Sequence, residues 1–464
     1  MGEQRTLHRS LGFGYVVIFV IANIIGSGVF KKIAPMTAEL NSSAWVLLAW
    51  LAAGIITLFG ALSNAEIAGM LADTGGEFVY FKKIYNRFFA FIYGWSLFAV
   101  IQTATISSLA YVFAQSLNSI LPIPTVFESL QDYSIGGVFF PFQDFQVKLA
   151  AILLIFLLTM LNISGLKGSA STGKWLFWLT MAGLIFIVVF GLMHVKSLPE
   201  NFMNPADFTR VKVSPTSFFT AMLGAFWAYQ GWISVGYIGG EIQNPNKNLP
   251  RGIIVGVFVV IGIYMLVNLT YLALLSVPEL SSIHGSENKI AAIEAVRSFW
   301  GQTGVLFISI LILFSTLGCT HASILTGARP QYAMAGDGLF FKSFARLNKA
   351  GVPGISLLWQ GIWAAVLVLS GTFDQLTDMT VFAVFIFYGA SALGVFILRY
   401  RIPDAIRPYK AWGYPYIPAF YVLFCVVLIA STLYSQPREA IIGLVLIFLG
   451  IPVYFLKHLI FKHK

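Results

Sequence analysis

The chain has 464 residues, of which 58% are hydrophobic, 16% aromatic and only 10% charged; soluble domains carry roughly 25% charged residues. That balance excludes a soluble globular protein and identifies an integral membrane protein. The formal net charge of +10 follows from basic cytoplasmic loops lying against anionic lipid, and it requires no nucleic-acid partner.

Long apolar windows fall at 11–36, 43–70, 88–120, 147–164, 173–194, 217–239, 252–277, 302–327, 354–371, 379–400, 414–434 and 438–461. Most approach the roughly 20 residues that a spanning helix needs. The reading is all-α: twelve transmembrane helices in one bundle, with residues 1–464 forming a single domain. The first window has no small-residue cleavage site behind a short apolar core, so it reads as a retained span. Most of the 29 Lys and Arg residues, among them Arg9, Lys82, Lys83, Arg87, Arg399, Arg401 and Arg407, fall in one alternate set of loops. Basic loops are cytoplasmic, which places both termini inside a cell (inner or plasma) membrane.

Between the windows, 71–87 mixes Gly75-Gly76 with basic and aromatic residues and suggests a short interfacial helix. The outer loop 121–146 is rich in Pro and Gly. In 278–300, Ile290, Ile293 and Val296 recur at helical spacing, as in short helices capping the outer face. Cys319 and Cys425, the only cysteines, fall inside windows, so no outer-loop thiol is present for a disulfide-linked partner.

Two windows are interrupted. Ile24-Ile25-Gly26-Ser27-Gly28-Val29-Phe30 and Ala225-Phe226-Trp227-Ala228-Tyr229-Gln230-Gly231-Trp232 both place glycine where a helix needs regular backbone. Hydrocarbon does not satisfy freed main-chain groups, so such breaks survive where they line a cavity, and paired breaks point to a transporter's midplane site. The amides of the first break suit a carboxylate. The carbonyls of Trp227, Ala228 and Gln230 suit an ammonium, with Trp227 positioned as a cover. The plainer readings are tight helix contact through small residues at the first break and aromatic bundle packing at the second. Five windows precede the second break, so 11–194 and 217–401 enter the bilayer from opposite sides as inverted repeats, with 413–461 holding helices 11 and 12.

At these residues the chain resembles the amino acid–polyamine–organocation superfamily, and within it the L-type amino acid transporter family with its bacterial serine/threonine-exchanger branch. The matching segments include Ile25–Phe30, Asn64–Ile67, Gly75–Tyr80, Phe226–Trp232, Glu241 to Pro250 and Thr326–Arg329. The resemblance implies a LeuT-like 5+5 inverted repeat with helices 1 and 6 broken. It implies a substrate held by Ile24, Gly26, Ser27, Gly28, Trp227, Ala228 and Gln230, with Trp227 as the outer gate. Gln230 stands where relatives often carry Gly or Asp. The outer-loop cysteine that joins animal members to a heavy chain is missing.

Lys174 at the head of helix 5 has two readings. It is a lysine snorkelling to headgroups, or, as the resemblance implies, an ammonium in place of a sodium ion with Ser323 and Thr326 on helix 8 beside it. His321 reads as a satisfied bundle residue, and Glu66 and Glu241 as structural acids paired with Arg251 or Arg329. Trp227, Phe226, Phe385 and Tyr388 suggest an apolar pocket. No acid lies near either break, which favours uncharged side chains on the substrate. No cluster of titratable groups or metal ligands stands there either, so the chain reads as neither an enzyme nor a cofactor protein. The expectation is sodium-independent exchange of neutral L-amino acids by alternating access; the alternative is a proton-coupled amino acid or amine/polyamine antiporter.

Overall fold

In hydrocarbon, only helices and closed barrels satisfy their own main chain, and this chain takes the helical solution. The structure is a computed structural model. It describes residues 9, 11–72, 75–136, 139–165, 169–195, 211–284 and 289–461, excepting the side chains of 169–174 and 457–461; the Lys174 side chain therefore lies outside the described residues.

The first pass is α1 (Phe13–Ile24), a break, then the nearly continuous α2 (Gly28–Lys31) and α3 (Ile33–Leu40). The Ser42 hydroxyl accepts the Trp45 amide and opens α4 (Ser43–Met70), as expected of an N-cap serine. Next come α5 (Glu77–Ile84) and a continuous 34-residue helix α6 (Arg87–Ile120), capped by Asn86 and carrying a π-turn at Leu97–Ile101. Two long helices follow, α7 (Phe145–Ser164) and α8 (Ser169–Met193). Ser214 caps α9 (Pro215–Tyr229), with proline in its first turn. The chain continues as α10 (Pro245–Leu274), α11 (Val277–His284) and α12 (Ala291–Gly336), the last kinked at Gly301 where φ is +59°. After α13 (Gly354–Ser370), a Thr372–Gln375 capping box opens α14 (Phe373–Arg401). The chain ends with α15 (Tyr416–Ser435), α16 (Pro437–Phe448) and α17 (Gly450–Phe461).

Among the described residues, nine helices are long and apolar enough to cross a membrane, and Phe13–Ile24 and Gly354–Ser370 are shorter apolar helices. This is a multi-pass membrane architecture. Buried residues make up 78% of the best window in α6 but 22% of the one in Pro437–Leu456, so α6 is central and the last pass peripheral. Side chains such as Phe258, Leu153 and Val426 stay exposed, as a lipid-facing surface requires.

The segments differ from the sequence reading in three places. The window 217–239 is not one interrupted helix: α9 stops at Tyr229, and two 3-10 turns, Trp232–Tyr237 and Gly239–Glu241, follow it. The window 438–461 is divided into α16 and α17. The helix expected in 71–87 exists as α5, and it is more than a surface element: Lys82 and Lys83 are exposed while its other face packs into the bundle. Gly75 and Gly76, with φ of +115° and +52°, turn the chain inward, and Phe78, Tyr80, Phe81 and Ile84 are buried.

Glu66 was expected to pair with Arg251 or Arg329. Instead it binds α14 and the segment after it. Arg399 donates from Nε and Nη2 at 2.9 and 2.6 Å, the Ala411 amide donates at 2.6 Å, and Arg407 Nε lies at 3.3 Å. The carboxylate is 1% exposed, and removing one partner of a buried pair costs about 3–5 kcal/mol. Glu66→Ala is expected to lower the thermal unfolding midpoint in detergent markedly, whereas an unchanged midpoint would show that this network does not hold α4 to α14.

Candidate functional site

Helix α1 ends at Ile24, and the Ile25 amide still bonds to the Ile21 carbonyl at 2.9 Å. The Gly26, Ser27 and Gly28 amides have no acceptor among the described residues, because the next backbone bonds start with Phe30 to Ser27 and Lys32 to Gly28. These are the orphan donors of a helix start. In the second break, Gln230 is extended and Gly231 has φ of +112°, a conformation that favours glycine.

The two breaks touch. A Cβ on Gly28 would stand 2.6 Å from Ala228 Cα, and one on Gly231 would strike the Asn23 carbonyl group. The Tyr264 hydroxyl on α10 lies 3.0 Å from the Ile24 carbonyl and 2.8 Å from the Ala228 carbonyl. A phenol has one proton to donate, so it occupies one of these carbonyls at a time and leaves the other unbonded by it. The Trp227 carbonyl accepts the Gln230 amide at 3.2 Å. Of the acceptors expected for an ammonium, Trp227 is thus engaged, and Ile24 and Ala228 share one donor. Tyr264 carried no sequence signal: it is one tyrosine in an apolar run.

A cavity of about 400 Å³ opens from the breaks, within the roughly 300–1,000 Å³ usual for small-molecule sites. Ile24, Gly26, Ser27, Gly28, Trp227 and Gln230 all line it; Ala228 does not. The Gln230 Oε1 and Ser315 Oγ atoms on its wall are buried without a hydrogen-bond partner, and buried polar atoms normally have one. Apolar wall comes from Leu109 on α6 and from Phe177 and Met181 on α8. Of the aromatics expected there, Trp227 lines the cavity; Phe385 packs on Phe226 at 4.6 Å and Tyr388 on Trp232 at 5.1 Å, and none of these four lines it.

One end of the cavity reaches Leu11, Glu241 and Arg329. The Arg329 Nη1 atom lies 3.6 Å from Glu241 Oε1, and these are its only charged walls among the described residues. The other end is shut by Trp227, whose indole N–H donates to the Ser27 hydroxyl at 3.3 Å. Phe373 meets Trp227 edge to face at 6.1 Å. Behind it Lys32, 1% exposed, bonds to Asp374 and Thr377, both at 2.6 Å, with Asp378 at 3.6 Å. Lys31 lies over the Phe373 ring at 4.6 Å and bonds to Gln115 at 2.7 Å. A second cavity of about 280 Å³ lies on that side, with Lys31, Phe373 and Asp374 in its wall.

Ser323 lines the main cavity, and its carbonyl accepts Gln102 Nε2 at 2.9 Å. The Thr326 hydroxyl donates back to the Ala322 carbonyl of its own helix at 2.8 Å, a self-contained arrangement. His321 Nδ1 lies 3.1 Å from Asn162 Nδ2, in keeping with a satisfied bundle residue. Among the described residues no group of three or more His, Cys, Asp or Glu is placed to hold a metal ion.

Gly26 and Gly28 separate site from scaffold. A Cβ on Gly26 meets Leu109 and Cys319 at 3.4 and 3.7 Å, ordinary contacts, whereas on Gly28 it invades the Ala228 backbone. Gly28→Ala is expected to destabilise the protein by about 1–3 kcal/mol, the usual penalty of overpacking, while Gly26→Ala unfolds close to the parent. Thermal unfolding of both purified variants checks this, and equal midpoints would refute the close approach.

Comparison with known proteins gives the family. The model of the amino acid permease family matches residues 11–455. The serine/threonine exchanger SteT of Bacillus subtilis (strain 168) is 29% identical over 460 residues, covering 98% of each chain. The b(0,+)-type amino acid transporter 1 of Homo sapiens is 26% identical over 460 residues, 98% of this chain and 89% of the relative. The large neutral amino acids transporter small subunit 2 of Homo sapiens is 27% identical over 474 residues, 100% of this chain and 83% of the relative. The chain belongs to the amino acid permease family, a membrane transporter of the amino acid–polyamine–organocation superfamily rather than an enzyme.

Proposed function

We propose that the chain carries neutral L-amino acids across the cell membrane by sodium-independent exchange. One observation carries the reading: the unbonded amides of Gly26, Ser27 and Gly28 and the orphaned Gln230 Oε1 line one cavity. The amides offer donors to a carboxylate, and Gln230 with the Ile24 carbonyl offers acceptors to an ammonium. A decarboxylated amine leaves the amides unmet, which disfavours the amine antiporter. Apart from Glu241 and Arg329 at the mouth, the described wall is uncharged, so a charged substrate side chain finds no counter-charge in it. The relatives named for serine/threonine exchange and for large neutral amino acids support the same class.

In this reading 11–194 and 217–401 are the two inverted repeats, each opening on a broken helix, and the twelve passes include the short helices α1, α9 and α13. Both termini face the cytoplasm, so the cavity that reaches Leu11 opens inward. Trp227, Phe373 and the Lys32–Asp374 pair then form the closed outer side. Lys174 supplies the fixed ammonium in place of sodium, with Ser323 on the opposing helix. Cys319 and Cys425 lie within helices α12 and α15, which supports function without a disulfide-linked heavy chain.

Counterflow in proteoliposomes preloaded with serine or leucine tests the reading. Labelled neutral amino acid is expected to enter at a rate unchanged when external sodium is replaced by choline. Gln230→Ala is expected to weaken binding by roughly ten- to a hundredfold, since one hydrogen bond to a charged group contributes about 1.5–3 kcal/mol. Many-fold stimulation by sodium, or full affinity in the variant, would overturn the corresponding assignment.

A further inference from the structure

Glu77 differs from Glu66 and Asp374 in its partners. Glu66 meets two arginines and Asp374 meets Lys32, but Glu77, 1% exposed, is held by neutral groups. The Tyr93 hydroxyl on α6 lies 2.6 Å from Oε2, and Asn64 Nδ2 on α4 lies 3.4 Å from Oε1. Asn64 also donates to Ser391 on α14 at 2.9 Å. Tyr93 in turn lies 2.8 Å from the hydroxyl of Tyr237, which belongs to the 3-10 turn beyond the second break. Tyr388 on α14 and Tyr421 on α15 complete the titratable surroundings. On its own helix, Lys82 pairs instead with Asp337, and Lys83 lies at the helix's far end.

Burying an unpaired carboxylate is costly, and the group keeps its proton instead. Burial pushes the Glu77 carboxyl up to about 8 from an ordinary 4.5, against the opposing effect of the Tyr93 and Ser391 hydrogen bonds. The packed form therefore holds one proton more than an exposed Glu77 across that interval. Its advantage is full at acid pH and is lost as pH rises through about 8. The residue before helix α5 also packs on the turn that holds Tyr237: a Cβ on Gly76 would stand 2.8 Å from the Tyr237 ring. The turn Trp232–Tyr237 is the segment that continues from the second break.

We propose that Glu77 is a proton-binding site that links the transport cycle to pH, neutral while the turn Trp232–Tyr237 packs against it and ionised in the state where that turn separates. When neutral, its O–H donates to the Tyr93 oxygen and Tyr93 donates to Tyr237, so the two protons run in one direction. When the turn leaves, water reaches the carboxyl and takes the proton; repacking takes it back. The inference rests on the reading of the chain as an alternating-access carrier.

Counterflow of serine or leucine, measured with equal pH on both sides from about 6 to about 9.5, tests it around the value set by burial. The wild-type rate is expected to change several-fold in a step near pH 8. Glu77→Gln, an uncharged isostere, is expected to hold the acid-side rate at every pH. Tyr93→Phe, which removes a donor to the ionised carboxyl, is expected to move the step upward. Infrared difference spectra between the two pH extremes are expected to show a carboxylic-acid C=O band in the wild type that Glu77→Gln lacks. A flat wild-type profile with normal counterflow, or a step that persists in Glu77→Gln, would overturn the proposal and leave the carrier reading standing. Should Glu77→Gln fail to fold, the wild-type profile and the Tyr93→Phe shift still decide. Folded wild type with no counterflow at any pH would instead defeat the carrier reading.

Discussion

Two stretches of uncoiled main chain lying against each other inside the bundle set the terms for everything else in this protein. Hydrocarbon offers no partner to a free amide or carbonyl, so neither break is tolerable against lipid. Each is tolerable against the other. Gly28 lets the first break approach the Ala228 backbone, Gly231 lets the second approach Asn23, and the Tyr264 hydroxyl serves carbonyls of both. What these contacts leave unsatisfied, the amides of residues 26–28 and the Gln230 Oε1 atom, faces a cavity. The site is the remainder of an incomplete pairing.

Charge is distributed to fit that constraint. Buried charges away from the cavity are closed networks: Glu66 with Arg399 and Arg407, and Lys32 with Asp374 and Asp378. Each joins α14 to a helix of the first half of the chain, α4 in one case and the end of the broken first pass in the other. Helix α14 is thus clamped near both of its ends to the first half of the chain, while the described cavity wall stays neutral except at its mouth. Between these clamps, Trp227 and Phe373 form an aromatic partition separating the two cavities. Glu77 has no cationic partner among the described residues, and its neighbour Tyr93 bonds to Tyr237 in the turn after the second break.

Much of the architecture was legible in the chain because its causes are local. Apolar windows announce spans, and Ser42, Asn86, Ser214 and the Thr372–Gln375 box announce helix starts. Glycine in an apolar run announces a break. The placement of Ser27, Gly28, Trp227 and Gln230 around one cavity followed from pairing two such breaks. The assignment of pocket walls to Phe385 and Tyr388 failed because aromatic composition does not say which face of a helix meets the cavity. Those rings pack on Phe226 and Trp232, and α6 and α8 supply the wall instead.

By itself the sequence determined that the chain is helical and membrane-embedded, where its backbone uncoils, and the family to which it belongs, since each depends on residues close together along the chain. Tertiary structure alone decided that Tyr264 joins the breaks, that Lys32 finds Asp374 across 342 positions, that Gly28 lies against the Ala228 backbone, and that Glu77 lies buried among neutral partners. Those outcomes depend on how helices cross and which way each side chain turns. Neither leaves a periodic trace in the chain, because a single polar residue reads the same whether it faces a partner, a cavity or lipid.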